Sequence, residues 1–102
     1  KSESAHYKYE RNSKLRRVKI KDFLTKYGSV HCEICSFNFK VKYGERGREY
    51  IECHHTIPVS EMKGEHVTNI SELVLLCSNC HRMIHRKKPW LNTNELREIL
   101  KK

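Results

Sequence analysis

The run Cys77-Ser78-Asn79-Cys80-His81-Arg82-Met83-Ile84-His85 sets a C-x2-C pair directly against an H-x3-H pair, so two kinds of metal ligand share one short stretch. A second C-x2-C stands at Cys32 and Cys35, and a His54-His55 dipeptide lies between the two cysteine pairs. Two residues between paired cysteines let both sulfurs reach one ion in a tight turn, so Cys32, Cys35, Cys77 and Cys80 suit a closed tetrahedral zinc site. If the residues after Cys80 are helical, His81 and His85 stand one turn apart and project from one face, which offers two imidazoles to a single ion. The partition this suggests is two metal sites, one structural and one chemical.

A chain of 102 residues with 37% hydrophobic residues forms one domain with a small core, which a structural metal can supplement. The formal charge of +9, from 21 Lys and Arg against 12 Asp and Glu, favours a polyanionic partner such as nucleic acid. No apolar run is long enough for a membrane helix, and the start lacks the apolar run of a secretory signal. Five cysteines, four of them in C-x2-C pairs, read as thiolate ligands in a reducing, cytoplasmic compartment rather than as disulfides. With Lys1 rather than Met in first place, the sequence is expected to be a piece of something longer.

Residues 1–10 have little apolar content and read as a tail or linker leading into a domain over 11–102. From about Asn12 to Tyr27, Leu15, Val18, Phe23, Leu24 and Tyr27 recur at near-helical spacing, and Gly28 stands where a helix would stop. Arg16, Arg17, Lys19 and Lys21 on this basic helix either form a solvated face or touch phosphates. Cys32 to Cys35 makes a knuckle; Phe37 and Phe39 alternate as in a short strand, and Tyr43 to Gly47 is a turn. Glu49 to Cys53 is expected to be a strand delivering His54 and His55, with Pro58 soon after it. A loop containing Gly64 leads to a buried strand, Leu73 to Leu76. The helix bearing His81 and His85 is short, because Lys87, Lys88 and Pro89 end it. Asn92-Thr93-Asn94-Glu95 has the form of a capping box, opening a last helix with Leu96, Ile99 and Leu100 on its apolar face. Cys53 reads as a small buried hydrophobe, and His6, His31 and His66 as residues without a metal role.

The run from Ile51 through Cys53-His54-His55-Thr56-Ile57-Pro58, followed by Leu73 to His85, resembles the HNH nuclease family and its beta-beta-alpha metal fold. Cys35-Ser36-Phe37-Asn38-Phe39 and Tyr43-Gly44-Glu45-Arg46-Gly47 narrow the likeness to tetracysteine HNH domains at the C-terminal end of modification-dependent (5-methylcytosine) restriction enzymes. The resemblance covers roughly Leu15 to Leu100. It implies an α+β fold, a small zinc-stabilised beta-beta-alpha metal domain with flanking N- and C-terminal helices. It also implies that His55 is the general base, that His54, His81 and His85 hold a catalytic divalent ion, and that the four paired cysteines hold structural Zn2+. In the family a middle residue, usually Asn, orders the loop behind the catalytic His. The common spacing back from His81 reaches Glu72, with Asn69 three residues early, and either residue is open for that role.

The chemistry agrees with these roles. Phosphodiester hydrolysis needs a base to take a proton from water, and a neutral imidazole serves near neutral pH. It also needs a cation against the charge developing on the phosphoryl group and the departing 3' oxygen. The blander reading is that His81 or His85 completes a cysteine zinc site or simply packs. Three imidazoles without an Asp suit Mn2+, Co2+ or Ni2+ better than Mg2+, unless a carboxylate such as Glu52 or Glu72 joins them. The expected function is therefore a metal-dependent DNA endonuclease leaving 5'-phosphate and 3'-hydroxyl ends. Double-stranded DNA is the expected partner, with Arg16, Arg17, Lys19, Arg82, Arg86 and Lys87 as candidate phosphate contacts. Fusion to a separate DNA-recognition domain is expected, as is a homodimer where both strands are cut. The alternatives are a noncatalytic zinc-stabilised DNA-binding module and an RNA-directed nuclease.

Overall fold

The computed structural model describes residues 2–56 and 69–101, with side chains from Lys14 onward. The fold is α+β: α1 (Ser2–Tyr27), α2 (Phe39–Tyr43), β1 (Glu52–His55), β2 (Leu73–Leu76), α3 (Ser78–His85) and α4 (Thr93–Leu100). Short 3-10 turns cover Gly44–Gly47 and Ile70–Glu72. No described helix is long and apolar enough to cross a membrane.

The centre is a two-stranded antiparallel ribbon in which Glu52 faces Leu76, Cys53 faces Leu75, His54 faces Val74 and His55 faces Leu73. Successive strand residues point to opposite sides, which divides the core in two. Leu75 joins buried Phe23, Val30 and Ile51 on the side of α1, with Ile20, Leu24 and Cys53 packed around them. Leu76 joins Cys32, Cys77, Cys80, Ile84 and Leu96 on the side of α3 and α4, with Val74 and Leu91 against them. Glu33, in the first cysteine turn, fastens that turn to β2: its N–H donates to the Leu75 carbonyl at 2.8 Å, and its Oε2 accepts from the Leu75 N–H at 2.7 Å.

Several elements differ from the sequence expectation. Helix α1 starts at Ser2, so residues expected to be an irregular tail carry its first turns. Its inward face is Ile20, Phe23 and Leu24, while Val18 and Tyr27 are exposed. The strand expected through Phe37 and Phe39 is replaced by the single-turn helix α2, because Asn38 caps it by accepting from the Val41 N–H at 3.0 Å. The turn that follows joins a helix, not a strand, to the extended chain. It needs Gly47 where the backbone crosses Phe39, since a Cβ there would collide with the Phe39 carbonyl. Strand β1 is shifted forward and contains both histidines. The capping box is present, with Asn92 Oδ1 accepting from the Glu95 N–H and Glu95 Oε1 accepting from the Asn92 N–H, both at 2.8 Å. On α4 only Leu96 is buried; Ile99 and Leu100 are 54% and 51% exposed. Pro58, Gly64 and His66, and the loop expected around them, lie outside the described residues. The side chain of His6 does too.

Candidate metal centres and active site

Helix α3 builds both centres. Cys77 precedes it as N-cap, its Sγ accepting from the Cys80 N–H at 3.4 Å. Cys80 and Ile84, one turn apart, face the core. His81 and His85, one residue further round, face β1.

At the first centre the sulfurs of Cys32, Cys35, Cys77 and Cys80 all lie within 4.8 Å of one another. Cys35 Sγ and Cys77 Sγ are 3.6 Å apart. Four tetrahedral thiolates about 2.3 Å from one zinc ion are about 3.8 Å from each other, so the donor set and its spacing fit Zn2+. The turn is built for thiolates: Cys32 Sγ accepts from the N–H groups of Ile34 and Cys35, each at 3.4 Å. Ser36 takes a left-handed conformation, φ 68°, to close it. Burial raises the thiol pKa of Cys32, but the backbone donors of Cys35, Cys77 and Ile34 outweigh it and hold Cys32 below the ordinary value. Burial, joined by the charge of Cys32 and the neighbouring sulfurs, drives Cys80 far above it. Such a cluster resists full ionisation until a cation joins it, as a thiolate metal site requires.

At the second centre the ring nitrogens of His54, His81 and His85 converge within 4.8 Å, with His85 Nε2 3.3 Å from His54 Nδ1. Burial, then the charges of His81, His85 and His55, pushes His54 down to about 4. Burial and His81 lower His85 as well. Neutral imidazole is the metal-binding form, so the residues fit a divalent ion with nitrogen donors. Trp90 lies against His85, ring centroids 4.5 Å apart, and Lys88 Nζ sits 5.7 Å from the indole.

His55 follows His54 on β1 and leaves from the opposite face of the strand. Burial lowers its pKa, against the raising effect of the Glu72 carboxylate. The Glu72 carbonyl accepts from the Thr56 N–H at 2.8 Å and from Thr56 Oγ1 at 3.0 Å, fastening the chain just beyond His55. Asn69 is exposed, and its carbonyl accepts from the Glu72 N–H at 2.9 Å.

The other candidates are distributed over the surface. Arg16 Nη2 donates to the Ile51 carbonyl at 2.8 Å, and Lys19 lies 3.8 Å from Glu33, so both are engaged within the fold. Arg17, Lys21, Arg82, Arg86 and Lys87 are exposed. Cys53 is half-buried against the α1 cluster, and His31 packs on Phe23 and Tyr27. Sequence reasoning noted Glu52 only as an alternative ligand. The structure sets its Oε1 2.8 Å from His81 Nδ1, while its Oε2 accepts from Ser78 Oγ at 2.7 Å. Burial would raise the Glu52 carboxyl, but these two contacts and the nearby charges of His81 and Arg82 hold it below its ordinary range.

An antiparallel ribbon crossed by a helix, with one four-thiol cluster and one three-imidazole cluster, agrees with the HNH domain that the sequence resembles. Residues 32–87, more than half of the chain, match the family model described as HNH endonuclease, and the chain belongs to that family. It is 35% identical over 92 residues to the type IV methyl-directed restriction enzyme EcoKMcrA of Escherichia coli (strain K12). That match covers 85% of this chain and 31% of the enzyme, so the chain spans about a third of its relative's length.

Proposed function

We propose that the domain hydrolyses phosphodiester bonds of double-stranded DNA in a metal-dependent reaction, as the cleavage unit of a restriction enzyme. The observation that carries this reading is the convergence of His54, His81 and His85 next to His55 at the end of β1. The three imidazoles bind one divalent ion, Mn2+, Co2+, Ni2+ or Mg2+. When bound, the ion supplies positive charge against the phosphoryl oxygens and the departing 3' oxygen. His55, kept neutral by burial, accepts a proton from the attacking water through a ring nitrogen. Glu72 takes the place of the family's middle residue: its carbonyl pins Thr56 and so fixes the strand end that presents His55. Asn69 supports that turn through its own carbonyl. Water adds to phosphorus as the P–O3' bond breaks, and the departing 3' oxygen stays on its sugar and takes a proton from solvent, which leaves 5'-phosphate and 3'-hydroxyl ends.

The four cysteines hold structural Zn2+. Residues 1–10 lead into a domain spanning 11–102, and exposed Arg17, Arg82, Arg86 and Lys87 contact DNA phosphates. Arg16 and Lys19 contribute there with whatever donors their internal partners leave. Sequence or methylation recognition belongs to a separate fused domain, in keeping with the longer relative. Two domains acting as a homodimer cut both strands. The thiolate ligand set and the bacterial relative favour the cytoplasm of a prokaryotic cell. The test is incubation of the zinc-loaded domain with supercoiled plasmid and, in parallel, structured RNA, adding one divalent metal at a time. Nicked and linear DNA with ligatable ends supports the reading; RNA cleavage alone, or binding without cleavage under every metal, defeats it.

A further inference from the structure

Glu52 stands two residues before His54, so both side chains leave β1 on the face that meets α3. Both of its carboxylate oxygens have partners on that helix: Oε1 is 2.8 Å from His81 Nδ1, and Oε2 accepts from Ser78 Oγ at 2.7 Å. An ionised carboxylate only accepts, so the 2.8 Å contact calls for an Nδ1–H on His81, and in a neutral ring that tautomer has its lone pair on Nε2. The second contact stops the carboxylate from turning, since its other oxygen is tied to the first turn of α3. Ser78 lies between Cys77 and Cys80, so one side chain joins the tetracysteine turn to the imidazole cluster.

We propose that Glu52 is a positioning residue for the three-imidazole centre, fixing His81 in the Nδ1–H tautomer and presenting Nε2 toward His54 and His85. This inference rests on the three-imidazole reading above. A carboxylate behind a ligating imidazole fixes its ring and raises its basicity, and loss of such a partner weakens metal affinity by about 10- to 100-fold. With both oxygens already on α3, Glu52 acts through His81 and not as a ligand itself.

The experiment uses zinc-loaded protein with no second ion. Long-range 1H–15N spectra of the wild type should report His81 protonated on Nδ1, with a tautomer mixture in Glu52→Ala. Co2+ titration followed by visible absorption should then give affinity about 10- to 100-fold lower for Glu52→Ala. Glu52→Gln, whose amide oxygen still accepts from Nδ1–H, should keep most of the affinity. A role in folding alone would lower the melting temperature without moving tautomer or affinity, and that result overturns the proposal. A wild-type His81 protonated on Nε2 overturns it too. So does a Gln variant that keeps the tautomer but binds as poorly as the Ala variant, which would make the carboxylate a direct ligand. If Glu52→Ala does not fold, the wild-type tautomer and the Gln titration decide. A wild type that takes up no second ion removes the three-imidazole reading instead, while its His81 tautomer still judges Glu52.

Discussion

Cys35 Sγ and Cys77 Sγ lie 3.6 Å apart although 42 positions separate them in the chain. A thiol contact over that separation closes a long loop, and although Cys77 is buried in the core, Cys35 is exposed and adds little apolar burial to hold it. An ion shared by the four sulfurs would supply the missing energy.

Removing that ion should therefore unfold the domain. Structural zinc contributes on the order of 10 kcal/mol in small domains, comparable with the roughly 5–15 kcal/mol that separates folded from unfolded chains. Cys80→Ala, or a strong chelator, should abolish the thermal transition and release zinc measurable by elemental analysis. Native circular dichroism and an unchanged melting temperature without zinc would refute the structural role.

His55→Ala should leave zinc content and DNA affinity near wild type and lower the cleavage rate by at least about 10²-fold, the usual contribution of a general base. Single-turnover cleavage of a labelled duplex measures it. Cleavage within a few-fold of wild type would assign the base elsewhere.

The ligand type sets the order of activating ions. Magnesium prefers oxygen donors and keeps its water, whereas imidazole suits later transition metals. Mn2+, Co2+ or Ni2+ should activate plasmid nicking at concentrations where Mg2+ does little, and His81→Ala or His85→Ala should raise the metal concentration required. Saturation by micromolar Mg2+ alone, with the other ions inert, contradicts a nitrogen-only donor set.

Gly47 has no room for a side chain, because an added Cβ would meet the Phe39 backbone, which cannot swing aside as a side-chain tip does. Gly47→Ala should cost roughly 1–3 kcal/mol in denaturant unfolding, the range for overpacked sites. Gly44→Ala is the control, with open space at its Cβ but strain from its φ of 71°. Wild-type stability in Gly47→Ala would mean that the chain crossing at Phe39 can open to admit a methyl group.

What was legible in the sequence was whatever depends on near neighbours. The cysteine pairs, the His81–His85 spacing and the Asn92–Glu95 box are local patterns, and each occurs where the spacing put it. Phe37 and Phe39 misled because alternation over so few residues is outweighed by one capping side chain, Asn38. Ile99 and Leu100 sit at helical spacing near the end of α4, where the structure leaves both about half exposed. The Glu52 contacts were out of reach for a different reason. They depend on strand register and on how α3 lies across β1, and neither is written in any stretch shorter than Glu52 to His81.

Helix α3 carries Cys80 and Ile84 one residue out of step with His81 and His85, so both centres depend on one rotational phase. Inserting or deleting a single residue between Cys80 and His81 would turn everything beyond it by about 100°, carrying His81 and His85 away from His54 while the cysteines stayed in place. Substitutions along this helix can be graded in their effect. Its length cannot: the stretch accommodates altered letters far more readily than an altered count.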